Sequence, residues 1–192
     1  VGISTLEKIL KIKKNKNILI IGGGALGLPM LHYSKYKKLK NIHLIEKNNL
    51  AINKAKFFGV TKSFKSIESK YFQENLKNNF YDYIADTTAS SEILNNIFNS
   101  IIDCKVALLG VPKKNEYIKL NSLKINYGLK LLGSYGGNYK PNKDLKKYID
   151  ILIKSNFPFN KYIQKVYRFN NLNKIINDYK KGKIIGKALI KM

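Results

Sequence analysis

The stretch ILIIGGGALGLPML, residues 18 to 31, runs four long or branched apolar residues straight into three glycines and then into a helical pattern. Gly22, Gly24 and Gly27 make the spacing G-x-G-x-x-G, with Ala25 and Leu26 inside it, between a predicted strand and a predicted helix. The spacing has a mechanism. The first glycine permits a tight turn, the second lets a pyrophosphate approach the backbone, and the third lets the helix pack against the sheet. The helix N-terminus then presents unpaired N–H groups and a positive dipole end to the phosphates. A second strand, IHLIE over 42–46, ends about 20 residues past the last glycine, and its terminal acid Glu46 stands where a carboxylate bonds the adenosine ribose. A carboxylate there favours NAD over NADP, while the neighbouring Lys47 leaves NADP open.

The pattern on either side of this motif alternates strand and helix. STLEKILKIKK, residues 4–14, reads as an amphipathic helix with Ser4 and Glu7 at capping-box spacing. After the second strand come a helix over 49–59 stopped by Gly59, a short strand at 61–64, and a better one over 81–88. A helix over 91–101, a strand over 105–110 and a sixth strand over 128–137 complete the series. Strands separated by helical segments mean βαβ units and a parallel sheet, so the fold class is a Rossmann doubly wound α/β sheet. Beyond Tyr135 two helical patterns and a closing strand, GKALIKM, change the character. The expected division is a dinucleotide-binding domain over 1–135 and a C-terminal segment over 136–192.

Composition narrows the class. The 192 residues are 44% hydrophobic, ordinary for a globular protein with one fair-sized core. Cys104 is the only cysteine, which excludes an internal disulfide and a multi-cysteine zinc site and leads us to expect a reducing, cytoplasmic setting. The chain opens on Val1 with no charged-then-apolar leader, so no signal peptide is expected. No apolar run approaches the roughly 18 residues of a membrane span, and no membrane partner is expected. The formal charge of +24 invites a nucleic-acid reading, but Arg168 is the only arginine, so bidentate base readers are missing. The lysines, strewn through KIKKNKN and KYKKLKN among others, read as solvated surface, and no nucleic-acid partner is expected.

With these residues placed, the chain resembles the cofactor-binding part of the medium-chain, zinc-type alcohol and polyol dehydrogenases. The resemblance runs through IIGGGALGL, IEKNNLAINKAKFFGVT, YDYIADTTAS, VALLGVP, LLGSYGGNYKPNKDL and YKKGKIIGKALIKM, in family order. It implies hydride transfer between an alcohol, polyol or sugar-like substrate and NAD(H), in a homo-oligomer. It also implies site residues: Thr5 against the nicotinamide, and Leu109, Gly110 and Val111 along its ribose and carboxamide. Ser134 and Tyr135 would hold the carboxamide, and Asp86 and Thr87 would stand near the ribose.

The departures bear on chemistry. Val1 stands where the alcohol dehydrogenases place a cysteine ligand, and His32, His43 and Cys104 have no ligand spacing. Zinc is therefore expected only in an intact, longer protein, with no metal ligand and no catalytic residue in this chain. Gly186 stands where many relatives carry a phosphate-binding arginine, with Lys187 beside it as a point charge. The chain is expected to be a fragment, inactive alone, whose closing strand has its neighbours in the missing part. Two other readings stay open: a non-catalytic NAD-binding regulatory module, and an S-adenosylmethionine-dependent methyltransferase.

Overall fold

The computed structural model describes residues 1–192. Six parallel strands form the main sheet: β1 (Asn17–Ile21), β2 (Asn41–Ile45), β3 (Lys62–Phe64), β4 (Tyr83–Asp86), β5 (Lys105–Leu108) and β6 (Lys130–Gly133). Their spatial order is β3-β2-β1-β4-β5-β6, the doubly wound order expected. Residues of β1 alternate between the two sides, so Ile18 and Ile20 join one core cluster while Leu19 and Ile21 join the other. Both faces are covered, which is why NILII reads as a continuous apolar run rather than an alternating one.

Helices α2 (Gly27–Tyr36), α3 (Asn49–Ala55) and α7 (Pro141–Lys154) lie over the first face, with Leu28, Leu31, Ala51 and Tyr148 in its core. Helices α4 (Lys70–Lys77) and α5 (Ser91–Ser100) cover the second through Phe72, Leu76, Leu94 and Phe98, and a short α6 (Leu123–Asn126) leads into β6. Helix α4 has no counterpart among the sequence expectations. Tyr148 and Phe157, from the segment past residue 135, sit in the same cluster as Ile18 and Leu28, so that segment shares the core of the sheet.

Two local expectations are corrected. The first helix begins at Gly2, as α1 (Gly2–Ser4), and continues over Thr5–Ile9 with a wider winding in which the N–H of Leu10 bonds the carbonyl of Thr5 at 3.0 Å. Its capping box does not form. Ser4 Oγ donates instead to the carbonyl of Gly137 at 2.7 Å, and Glu7 accepts from Lys147 Nζ at 2.6 Å and Tyr148 Oη at 2.7 Å. The closing strand β8 (Lys187–Lys191) also has a neighbour within the chain. It pairs in parallel with β7 (Ile163–Arg168), joined through α9 (Leu172–Lys180), over a small core of Tyr167, Ile175 and Ile184.

Candidate functional site

The carboxyl ends of β1 and β4 lie side by side where the sheet order reverses, so the loops leaving them part in opposite directions and open a crevice. The glycine turn sits at its centre. Gly22 has φ +96°, and a Cβ there would meet Thr87 Oγ1 at 2.3 Å. Thr87 itself donates from Oγ1 to the carbonyl of Ile21 at 2.7 Å, tying the end of β4 to the end of β1. A Cβ on Gly27 would lie 1.9 Å from the carbonyl oxygen of Gly22, so α2 can approach the turn this closely only with glycine there. At Gly24 the situation is opposite: nothing lies within 4 Å of an added Cβ. The N–H groups of Gly24, Ala25 and Leu26 find no acceptor in the chain, and Leu28 N–H already closes the first turn onto the carbonyl of Gly24. Open space beside orphan donors at a helix N-terminus is a cradle for an anion.

Glu46 faces this cradle from the end of β2. Its Oε2 accepts the N–H of Gly23 at 2.7 Å and its Oε1 accepts the N–H of Asn48 at 2.8 Å, which fixes the carboxylate against the turn. Asn48 caps α3 through Oδ1, bonded to the N–H of Leu50 at 2.8 Å, and donates from Nδ2 to the carbonyl of Gly182 at 2.9 Å. A cleft of about 280 Å³ opens beside Glu46, with Ile45, Ile67 and Ile93 on its apolar side and Lys47, Lys65 and Ser66 on its polar side. Of these only Lys47 was predicted from sequence. Lys65, Ser66 and Ile67 follow β3 directly, and in a doubly wound sheet the residues just past any strand reach the ligand edge, which is the signal that could have found them.

The remaining predicted residues fall along the same edge. Asp86 is fully buried, and its carboxylate is taken up by the loop after β4: Oδ1 accepts from Thr88 N and Oγ1, Oδ2 from Ala89 N at 2.9 Å. Gly110 abuts that loop so closely that a Cβ would lie 2.3 Å from Ala89 N. Leu109 packs against the first core cluster, whereas Val111 is 91% exposed. Thr5 is buried, and its Oγ1 lies 2.8 Å from Ser134 Oγ, which in turn accepts the N–H of Gly137 at 3.2 Å. Tyr135, between them in the turn, projects its ring into solvent at 95% exposure. The structure thus brings Thr5 and Ser134 together at one end of the edge and Gly22, Gly24, Ala25, Leu26 and Glu46 at its middle.

The C-terminal segment closes one flank. Tyr162 Oη, on α8 (Phe159–Tyr162), donates to the carbonyl of Ala25 at 2.9 Å. Gly186 could carry no side chain in this arrangement, since a Cβ would lie 2.4 Å from the carbonyl oxygen of Tyr162. Lys187, next to it, lines the groove shared with Ala25 and Leu26, so a cation remains near the cradle. No group of three His, Cys, Asp or Glu side chains converges on a common point.

No family model matches the chain. Alcohol dehydrogenase 1 of Petunia hybrida is 26% identical over 191 residues, covering 96% of this chain and 50% of that protein. Over its length the chain is similar to alcohol dehydrogenases. Alcohol dehydrogenase 1 of Pisum sativum is likewise 26% identical, over 197 residues, covering 100% of this chain and 52% of that one. The fold is shared with benzyl alcohol dehydrogenase from Acinetobacter calcoaceticus, at a TM-score of 0.88 and 23% identity over 100% of this chain and 53% of the other. The 2R,3R-butanediol dehydrogenase from Bacillus subtilis gives 0.85 at 15% identity, over 100% and 55%. The chain spans about half the length of the alcohol dehydrogenases it matches, and that half is their nucleotide-binding one.

Proposed function

We propose that this chain binds NAD(H) in the crevice at the carboxyl edge of the sheet, as the cofactor-holding part of a dehydrogenase acting on a small alcohol or polyol. The observation that carries this reading is the contrast within one turn. Gly22 and Gly27 are glycine because the protein fills the space around them, and Gly24 is glycine beside a space the protein leaves open. A pyrophosphate would take the free N–H groups of Gly24, Ala25 and Leu26, with Lys187 near enough to offset its charge. The adenosine ribose would meet Glu46, and the adenine would enter the cleft between Ile45, Ile67 and Ile93. Glu46 supports NAD as the better cofactor; Lys47 and Lys65, lining the same cleft, provide for a 2′-phosphate if NADP is used.

A bound nicotinamide cofactor would supply hydride transfer, and the residues of this chain would hold it in place. The Thr5 to Ser134 contact fixes the turn at Tyr135 to the first helix and so sets the wall at the nicotinamide end. Withdrawal of the alcohol proton and stabilisation of an alkoxide need an open Lewis-acid site, which the relatives' other half would supply. The chain's own residues offer cofactor binding without turnover. A fluorescence titration with NADH, with S-adenosylmethionine as the competing ligand, tests the reading. Saturable NADH binding that S-adenosylmethionine does not displace is expected; the reverse preference would overturn it.

A further inference from the structure

The two lysine runs of the sequence, residues 11–16 and 35–40, become neighbours at the amino edge of the sheet, the end away from the glycine turn. Asn15 N–H donates to the carbonyl of Lys38 at 2.9 Å, Lys40 N–H donates to that of Lys16 at 2.9 Å, and β1 then pairs with β2 from Asn17 and Asn41 onward. Between the runs lies a shallow, open groove lined by Ile12, Lys13, Lys14, Tyr36, Lys37 and Lys38. Lys13, Lys14 and Lys38 are exposed, and the Tyr36 ring, 43% exposed, leans at 6.0 Å on the buried ring of Tyr33.

Acids do little to neutralise this groove. Lys16 is paired with Asp82 at 2.7 Å, and none of the four lysines lining the groove makes an ion pair. Glu7, within electrostatic reach of Lys37, has its two oxygens occupied by Lys147 and Tyr148. Four unpaired cations around a concavity concentrate positive potential in it. Lysine offers point charges rather than forks, so such a groove attracts phosphates without reading bases. An exposed aromatic ring, backed by a buried one and set among lysines, suits a flexible strand that can lay one base on the ring.

We propose that this groove docks a single-stranded polynucleotide, sequence-independently, with backbone phosphates on Lys13, Lys14, Lys37 and Lys38 and one base stacked on Tyr36. The site is independent of the cofactor reading, since the two lie at opposite edges of the sheet, and it departs from the expectation of no nucleic-acid partner because the fold gathers two separated lysine runs around one aromatic ring.

The test is fluorescence anisotropy of a labelled oligouridylate of roughly 20 nucleotides, titrated with the full chain between about 50 and 200 mM salt. Each phosphate contact on a single strand contributes about −0.7 to the slope of log K against log salt. Changing Lys13, Lys14, Lys37 and Lys38 together to Gln is expected to flatten that slope by about 3 and to weaken binding at low salt at least about tenfold. Tyr36→Ala is expected to weaken it about tenfold while leaving the slope in place. Removing the same charge elsewhere, by changing the exposed Lys143, Lys146, Lys174 and Lys180 to Gln, should leave most of the affinity intact. An equal loss in this control would reduce the effect to net charge and overturn the site. Binding to phosphatidylserine vesicles without binding to the oligonucleotide would overturn it too, as would unchanged affinity in Tyr36→Ala. The Tyr36 variant also serves if the quadruple lysine variant loses its circular dichroism melting transition.

Discussion

A methyl group on Gly27 would lie 1.9 Å from the carbonyl oxygen of Gly22, a distance at which one of the two backbones must move. Gly22 cannot retreat, because its N–H is bonded to the carbonyl of Ile45 at 2.9 Å and Thr87 stands behind it. Gly27→Ala should therefore destabilise the fold by roughly 3 kcal/mol, the upper end for overpacking a filled site. Gly24→Ala, with open space around it, should stay within about 1 kcal/mol of the parent. Urea denaturation of both variants checks the difference, and equal stabilities would remove the steric account of the turn.

Replacing Glu46 by Ala leaves the N–H groups of Gly23 and Asn48 without their acceptor and removes the ribose partner. NAD affinity should fall by roughly 1 to 3 kcal/mol, and the gap to NADP should narrow as the repulsive charge goes. Calorimetric titration with both cofactors reads this directly. An unchanged preference would take Glu46 out of the site.

His43 carries the pH dependence. Burial first, and then Lys62, push its imidazole down to about 4, among the rings of Phe64, Phe80 and Tyr81. Its Nδ1 lies 2.9 Å from Tyr81 Oη. A base with a lowered folded pKa contributes stability that is complete above about 6.5 and is lost as pH falls toward about 4, because the unfolded chain takes the proton first. The loss amounts to roughly 3 kcal/mol at most. His32, also lowered by burial and by Lys35, adds to it in the same direction. Melting curves between pH 7 and about 4.5, above most carboxylate titration, should show the decline, and His43→Gln should remove most of it. A variant with the parent's full pH slope would place the effect elsewhere.

Besides Asn48 and Tyr162, one lysine ties the C-terminal pair of strands to the main sheet's layer. Lys54 Nζ donates to the carbonyl of Ile185 at 2.7 Å and to Gln164 Oε1 at 3.0 Å, while Gln164 Oε1 also accepts the N–H of Ile185 at 2.8 Å. Lys54→Met should leave a part-buried carbonyl unpaired and cost roughly 1 to 3 kcal/mol locally. Amide exchange over residues 187–191 should accelerate before that of β1 does. Simultaneous acceleration throughout would mean that the segment does not open as a separate unit.

The main sheet was legible because a parallel strand buried on both faces must be apolar throughout, as NILII is, and because its intervening helices carry helical periodicity. β7 escaped notice since it lies in a two-stranded sheet that buries Tyr167 and leaves Gln164, Lys165 and Val166 exposed. Helix α4 escaped for a related reason: its buried apolar face is little more than Phe72 and Leu76. The capping box failed on long-range grounds, since Ser4 and Glu7 satisfied a local rule but found better partners in Gly137, Lys147 and Tyr148, more than 130 residues away. The same division runs through the site. Glycine spacing expresses local sterics and shows in one dimension, whereas Lys65, Ser66 and Ile93 meet Glu46 only because three strand ends converge.

The central claim is that the empty side of Gly24 is a place for pyrophosphate. Isothermal titration of NADH into the parent and into Gly24→Val, with both melting transitions recorded, tests it most directly. We expect the parent to bind and the variant to lose at least about a hundredfold in affinity, roughly 3 kcal/mol, with little change in melting. Equal NADH affinity in the two proteins would contradict the account.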